Sequence, residues 1–159
     1  SRGTNEIERL VDLVTGVSRL GNQVCARAFQ SSVGCVDAAQ GALNWSKPAV
    51  GATGVDGDAI GLYGTDSDGK VLAWRRIDGE RLWFSDRLRY RVLTAPVVVG
   101  QSLVMGDDAG TLYFLSRQDG SLLNRISTDG SPIAAAPVLV GQTLVAVTQR
   151  GGIFGFRPE

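Results

Sequence analysis

The chain has 159 residues, of which 43% are hydrophobic, and its 16 basic side chains balance its 16 acidic ones. This length allows one domain with a real core, whereas the zero net charge argues against a nucleic-acid binder, which normally has a strongly basic face. No histidine is present, so the commonest zinc ligand and the commonest acid–base catalyst at neutral pH are both missing.

The first residues differ from the rest of the chain. They begin Ser1-Arg2-Gly3, without a methionine or a recognisable signal peptide, which indicates a piece of a longer protein. Asn5 and Glu8 then have capping-box spacing, and apolar residues follow at helical intervals. This segment predicts either a short helix or a loop. No apolar run anywhere in the chain is long enough for a transmembrane helix.

Three groups of short apolar segments follow. The first group lies at 15–20, 23–29, 33–37 and 42–48. The second reads AIGLYGTD, KVLAWRR and ERLWFSD, and the third spans 95–99, 102–105, 111–115 and 121–126. Apolar and β-branched residues bounded by Gly and Asp clusters are typical of strands joined by hairpin turns. The first and third groups each have four segments, and all three units are predicted to form four-stranded antiparallel meanders.

An internal repeat relates these groups. The stretch APVVVGQSLV at 95–104 returns as APVLVGQTLV at 136–145, with eight of ten positions identical. A period near 40 residues indicates stacked units, because a single four-stranded meander cannot bury both of its faces. We expect an all-β, partial β-propeller: a lead-in segment at 1–14, then blades at 15–50, 51–92, 93–132 and 133–159. The last blade has three predicted strands and lacks its outer one.

The repeats share an ending. The sequences VDAAQGALNW, RRIDGERLW and SRQDGSLLN each place a glycine before the outer strand, and the first two end on Trp45 and Trp83. This pattern resembles the PQQ-type, or quinoprotein-like, propeller repeat. The resemblance implies that Trp45 and Trp83 dock on neighbouring blades, where a large flat side chain can cover the seam and donate its indole N–H. In the third repeat, Asn124 replaces the tryptophan.

A second resemblance covers nearly the whole chain. The order of RGTNEIERLVDLVTG, DSDGKVLAWRRIDGERLW and LTAPVVVGQSLVMGDDAGTLYFL is similar to the C-terminal half of the BamB family. This implies a non-enzymatic, lipid-anchored propeller of the outer-membrane β-barrel assembly machinery, on the periplasmic face of the bacterial outer membrane. The implied partners are a BamA-like barrel-inserting subunit and unfolded outer-membrane protein precursors, with no cofactor.

The resemblance also places part of the partner surface in the lead-in segment. Asp12 matches one acidic position that the family uses to contact BamA, whereas Val14 replaces the next family aspartate. Arg9 and Glu8 are weaker candidates in the same segment, and the alternative for all three is ordinary loop charge. The rival function classes are a quinoprotein dehydrogenase and a sensor propeller, but no catalytic or metal-ligating residues are expected.

Two further features are open to interpretation. The DSDGK sequence at 66–70 lacks the glycine and glutamate spacing of an EF-hand and predicts a hairpin turn. Cys25 and Cys35 lie on consecutive predicted strands, so a cross-strand disulfide or two buried free cysteines are both compatible. A turn centred near Ser31 puts Cys25 opposite residue 37, which favours free cysteines. Because four blades leave open edges, we also expect the chain to self-associate.

Overall fold

The computed structural model describes residues 16–28 and 30–158, and every regular element in these ranges is a β-strand. The strands form four consecutive antiparallel sheets, numbered here in chain order. The first three sheets have four strands and the last has three, which confirms the predicted partial propeller. The helix or loop predicted for the lead-in segment lies outside the described residues.

The strand bounds follow the repeat. Sheet 1 contains β1 (Ser18–Leu20), β2 (Gln23–Ala28), β3 (Ser32–Asp37) and β4 (Ala42–Pro48). Sheet 2 contains β5 (Asp56–Gly57), β6 (Gly61–Thr65), β7 (Val71–Arg75) and β8 (Arg81–Ser85). Sheet 3 contains β9 (Val97–Val99), β10 (Ser102–Gly106), β11 (Thr111–Ser116) and β12 (Leu122–Ser127). Sheet 4 contains β13 (Val138–Val140), β14 (Thr143–Val147) and β15 (Ile153–Phe156).

In sheets 2 and 3, an aspartate side chain closes the hairpin turn between the two central strands. The Asp66 carboxylate accepts the backbone N–H groups of Asp68 and Lys70, and this closes the β6–β7 turn. Asp107 does the same for Ala109 and Thr111 between β10 and β11. Side-chain-to-backbone bonds of this kind stabilise tight turns, so DSDGK forms a hairpin turn as predicted.

The core is divided into three layers, one in each seam between successive sheets. Leu62 and Trp74 of sheet 2 pack with Cys35 of sheet 1. The opposite face of sheet 2 packs on sheet 3, and the far face of sheet 3 packs on Leu144 and Ala146 of sheet 4. Because side chains alternate across a strand, each central sheet buries both faces.

The structure corrects the interpretation of the two cysteines. Cys25 and Cys35 form a disulfide, with Cα atoms 4.0 Å apart, and both residues are fully buried. They are directly opposite each other because the turn is centred on Gln30, which takes a positive φ of 61° and allows Ala28 to pair with Ser32. The predicted register was wrong since it centred the turn one residue later, at Ser31.

The described ranges contain no helix that is both long and apolar enough to cross a membrane.

Candidate functional site

The partner-binding candidates from the sequence cannot be placed. Asp12, Arg9 and Glu8 all lie outside the residues that the structure describes. The polar side chains that the structure brings together lie mainly at the seams between successive sheets. Two further features of the surface are the groove at the third seam and the exposed face of sheet 4. Among the described residues, no cluster of three or more His, Cys, Asp or Glu side chains is placed to hold a metal ion.

Trp45 lies at the seam between sheets 1 and 2. Its indole N–H donates to the backbone carbonyl of Arg76, at 2.8 Å, and the side chain is buried. The ring lies against Gly79, where an added Cβ would approach it to 2.5 Å. This close approach requires glycine, which also takes a positive φ of 76° there.

Trp83 makes the corresponding contacts at the next seam. Its indole N–H donates to the carbonyl of Arg117, at 2.9 Å, and its ring lies against Gly120. The two tryptophans therefore contact equivalent backbone positions of the following sheet, since Arg76 and Arg117 are 41 residues apart.

The side chains of these two arginines reach back across the same seams. Arg76 is almost fully buried and donates to the Gln23 amide oxygen and to both oxygens of Ser18 in sheet 1. Arg117 donates to the Asp58 carboxylate of sheet 2, at 2.8 Å. Each of these two seams is thus joined in both directions, by an indole from one sheet and a guanidinium from the next. The strand and turn pattern did not predict this role, although the 41-residue spacing of the two arginines was a usable signal.

The carboxylate that receives Arg117 is itself held in a network. Burial alone would raise the pKa of Asp58. Hydrogen bonds from the N–H groups of Gly61 and Ile60 and from the Tyr63 hydroxyl, together with the positive charge of Arg117, hold this pKa below its ordinary value. Burial and the bond to Asp58 raise the pKa of Tyr63 well above its ordinary value. The group therefore stays an ionised carboxylate beside a neutral phenol.

The linker between sheets 1 and 2 is fixed by a buried arginine that the sequence pattern also did not predict. Arg27 is 4% exposed and donates to the backbone carbonyls of Thr53, Ala49 and Thr65. Burial lowers its pKa, with the charge of Asp66 acting in the opposite direction. Nothing in the local sequence of β2 distinguishes this arginine from a solvent-facing one, because its acceptors are distant in the chain.

The third seam, between sheets 3 and 4, is built differently. Asn124 takes the place of the tryptophan and Pro158 takes the place of the arginine. A groove of about 600 Å³ lies here, lined by Phe114, Asn124, Ile126 and Phe156 among others. At the opposite end of the seam, the Asp129 carboxylate accepts from the hydroxyls of Ser131 and Thr148.

Sheet 4 also presents an apolar face to solvent. Val138, Val140, Val147 and Ile153 are 59%, 63%, 44% and 75% exposed. They share one side of the sheet, because Val147 pairs with Ile153 and strand residues alternate in direction. The other side, with Leu144 and Ala146, packs on sheet 3. An exposed apolar face of this kind marks an interaction surface.

Known proteins are similar to this chain in sequence and in overall fold. The family model described as "Outer membrane protein assembly factor BamB" matches residues 1–85. The protein of that name from Burkholderia pseudomallei is 43% identical over 158 residues, which cover 99% of this chain and 42% of the relative. The Bordetella pertussis protein of the same name is 34% identical over 153 residues, covering 96% of this chain and 40% of the relative.

A solved structure agrees with this match. The crystal structure of BamB from Moraxella catarrhalis superposes with a TM-score of 0.83 at 24% identity, covering 98% of this chain and 46% of that one. At this identity the likeness supports the propeller fold alone. The chain spans about two fifths of the length of the curated relatives it matches. On the family match and the relatives together, the chain belongs to the BamB family.

Proposed function

We propose that this chain is part of a non-enzymatic propeller scaffold that takes part in assembling outer membrane proteins at the periplasmic face of the bacterial outer membrane. The observation that carries the proposal is the 43% identity to a protein named as an outer membrane protein assembly factor, over 99% of the chain. The buried disulfide supports the location, because disulfides persist in oxidising compartments such as the periplasm.

The partner in this proposal is a BamA-like barrel-inserting subunit, contacted through the lead-in segment with Asp12, Arg9 and Glu8. Trp45 and Trp83 act indirectly, by docking successive blades so that the loops between them keep a fixed spacing. Unfolded barrel precursors are a further partner class, since exposed outer strands such as β12 accept an added strand through backbone hydrogen bonds.

A binding assay with immobilised chain and the periplasmic domains of BamA tests this proposal. We expect Asp12→Arg to weaken binding at least tenfold, because it places a positive charge where the partner meets a negative one. Glu80→Arg makes the same charge change at an exposed turn between β7 and β8 and should leave binding unchanged. Equal binding by the wild type and Asp12→Arg removes Asp12 from the interface, and no binding by the wild type rejects BamA as the partner.

We also propose that two copies of the chain associate through the exposed face of sheet 4. Each seam between described sheets is an apolar face-to-face contact, and the Val138–Val140 side of sheet 4 has the same character without a described partner. Analytical ultracentrifugation should detect a dimer that Ile153→Lys dissociates, while Leu123→Lys on the outer strand of sheet 3 leaves it intact. A monomer at high protein concentration contradicts this proposal.

A further inference from the structure

A row of paired residues crosses sheet 1, with one residue on each strand. Its members are Ser18, Cys25, Cys35 and Trp45, and each is directly opposite the next. Directly paired residues of an antiparallel sheet project from the same face. The disulfide is therefore the centre of the row, and all four side chains face the seam between sheets 1 and 2.

Both ends of this row are bonded to one residue of sheet 2, Arg76. Its guanidinium donates to the Ser18 hydroxyl at 2.7 Å and to the Ser18 backbone carbonyl at 3.1 Å. Its own carbonyl accepts the Trp45 indole N–H at 2.8 Å. Because Arg76 belongs to the other sheet, these three bonds exist only when sheets 1 and 2 are docked, and they close the row at each end.

The middle of the row is covered by apolar side chains of the same sheet. Cys25 and Cys35 are both 0% exposed, and they share a core cluster with Leu62, Leu72 and Trp74 of sheet 2. Thiol–disulfide exchange requires a thiolate to reach a sulfur atom, and a charged group is costly to place in an apolar seam. The docked seam therefore keeps external thiols and disulfides away from both sulfur atoms.

Pairing of the two cysteines needs much less of the fold than their burial does. They are 10 residues apart, and the β2–β3 hairpin alone sets their register through the turn at Gln30. The bonds that close the seam join residues 31 and 58 positions apart. Contacts between residues close in sequence form faster than distant ones, so the hairpin can present its two thiols before sheet 2 docks.

We propose that Cys25 and Cys35 are the substrate of a dithiol oxidation that precedes the docking of sheet 2, and that the Arg76 contacts then protect the disulfide from reduction. The reaction that supplies the docked molecule is thiol–disulfide exchange with an external disulfide. The inference concerns how this chain matures, so it goes beyond the proposed assembly function and does not depend on it.

The exchange has two steps. The thiolate of one cysteine attacks the external disulfide, which forms a mixed disulfide and releases one external thiolate. The thiolate of the other cysteine then attacks the chain's own sulfur in the mixed disulfide, which forms the Cys25–Cys35 bond and releases the second external thiolate. The two protons and two electrons that the chain loses convert the external disulfide into two thiols.

Reduction of the folded, oxidised chain by dithiothreitol tests the protection. Thiols that appear are trapped with iodoacetamide and counted by mass spectrometry. We expect reduction under native conditions to be at least about a hundredfold slower than in denaturing urea, because the seam must open first. Equal rates would show that the reductant reaches the sulfur atoms in the docked seam, and would overturn the inference.

A matched pair of variants shows which seam controls access to the bond. Trp45→Phe keeps an aromatic ring but removes the N–H that donates to Arg76, so native reduction should become roughly fivefold faster. Trp83→Phe makes the same change at the seam between sheets 2 and 3 and should leave the rate unchanged. Equal rates of reduction in the two variants would contradict control by the first seam.

The order of oxidation and docking is tested in the opposite direction. The chain is refolded with dithiothreitol, freed of reductant and given glutathione disulfide, while near-UV circular dichroism reports whether its sheets have docked. A docked, reduced chain should lose its thiols at least about tenfold more slowly than the chain in denaturing urea. A reduced chain that fails to dock supports the order directly, whereas a docked one that reacts as fast as the unfolded chain would overturn it.

Discussion

At the residue scale, the buried arginines show how polar groups are satisfied inside an all-β core. Within the described part of the chain, Arg27 donates to no carboxylate, and its guanidinium bonds three backbone carbonyls of the linker and of β6. A buried charge is costly unless hydrogen bonds replace its hydration. Arginine fits this task because its planar group offers five fixed donors.

The first prediction concerns this residue. Arg27→Met should lower the free energy of unfolding by about 2–4 kcal/mol, because it leaves buried carbonyls without donors. The stability of Arg27→Lys should lie between those of the wild type and Arg27→Met, since an ammonium reaches fewer of the carbonyl acceptors. Urea denaturation measures the change, with Arg19→Met on the exposed side of β1 as the control. A loss no larger than that of the control would show that the linker is not held by Arg27.

The second prediction concerns Asp129. Hydrogen bonds from the Ser131 and Thr148 hydroxyls, and then from the Ser131 N–H, lower its pKa from 3.8 to about 2. A carboxylate with a lowered folded-state pKa stabilises the fold above its unfolded pKa, and this contribution is lost as the pH falls towards the folded value. Wild type should therefore lose stability between about pH 4 and pH 2 more steeply than Asp129→Asn.

Thermal denaturation across that pH range measures the effect. Asp68→Asn is a suitable control, because Asp68 is an exposed residue of the β6–β7 turn whose carboxylate accepts no hydrogen bond within the described part of the chain. Parallel pH profiles for the wild type and Asp129→Asn would contradict the prediction.

At the element scale, glycines in the first and the last hairpin turn of sheet 3 are required for different reasons. Gly100, in the β9–β10 turn, has a positive φ of 57° and open space where a Cβ would lie. Gly120, in the β11–β12 turn, has a φ of 76°, and an added Cβ would lie 2.6 Å from the Trp83 ring. The first glycine serves the turn alone, whereas the second also serves the seam.

The third prediction separates these two roles. Gly100→Ala should lower the free energy of unfolding by about 1 kcal/mol, which is the usual penalty for a residue with a Cβ in a left-handed backbone conformation. Gly120→Ala should cost about 1–3 kcal/mol more, because the methyl group displaces the Trp83 ring. Chemical denaturation gives the difference, and tryptophan fluorescence reports whether the indole has moved. Equal losses would mean that the ring has room to shift.

The fourth prediction concerns the β2–β3 hairpin and its disulfide. Replacing both Cys25 and Cys35 with alanine should lower stability by roughly 2–3 kcal/mol, as expected for a short closed loop. Reductant should then have no further effect on the variant, while it lowers the midpoint of wild-type unfolding in urea. If reductant leaves the wild-type midpoint unchanged and titration finds two free thiols in the unfolded chain, the bond is not formed in solution.

At the scale of the whole molecule, the sheets are not equally supported. Sheets 2 and 3 each pack against a sheet on both faces, whereas sheet 4 leaves Val138, Val140 and Ile153 exposed on one face. The third seam also lacks the paired indole and guanidinium contacts of the first two. Local unfolding begins where buried apolar contacts are fewest, so sheet 4 should open first.

The fifth prediction compares matched residues in the two sheets. Leu103 in β10 and Leu144 in β14 are both fully buried and occupy the same repeat position. Hydrogen exchange of the Leu144 amide should be at least about tenfold faster, which corresponds to ~1.4 kcal/mol in opening free energy. Dilute protein is needed, since association through sheet 4 would slow exchange. Equal rates in dilute protein would indicate that the four sheets open as one unit.

The chain's own sequence determined the repeat, the strands and the antiparallel meanders, because these depend on local alternation and on turn residues such as Gly100 and Gly141. It also determined that the units must stack. Only the tertiary structure decided which polar groups meet across the seams, since Arg27, Arg76 and Arg117 find their acceptors far along the chain. The disulfide also depends on the tertiary structure. The turn at Gln30 sets the β2–β3 register, and a shift of one residue in this turn would place a different residue opposite Cys25.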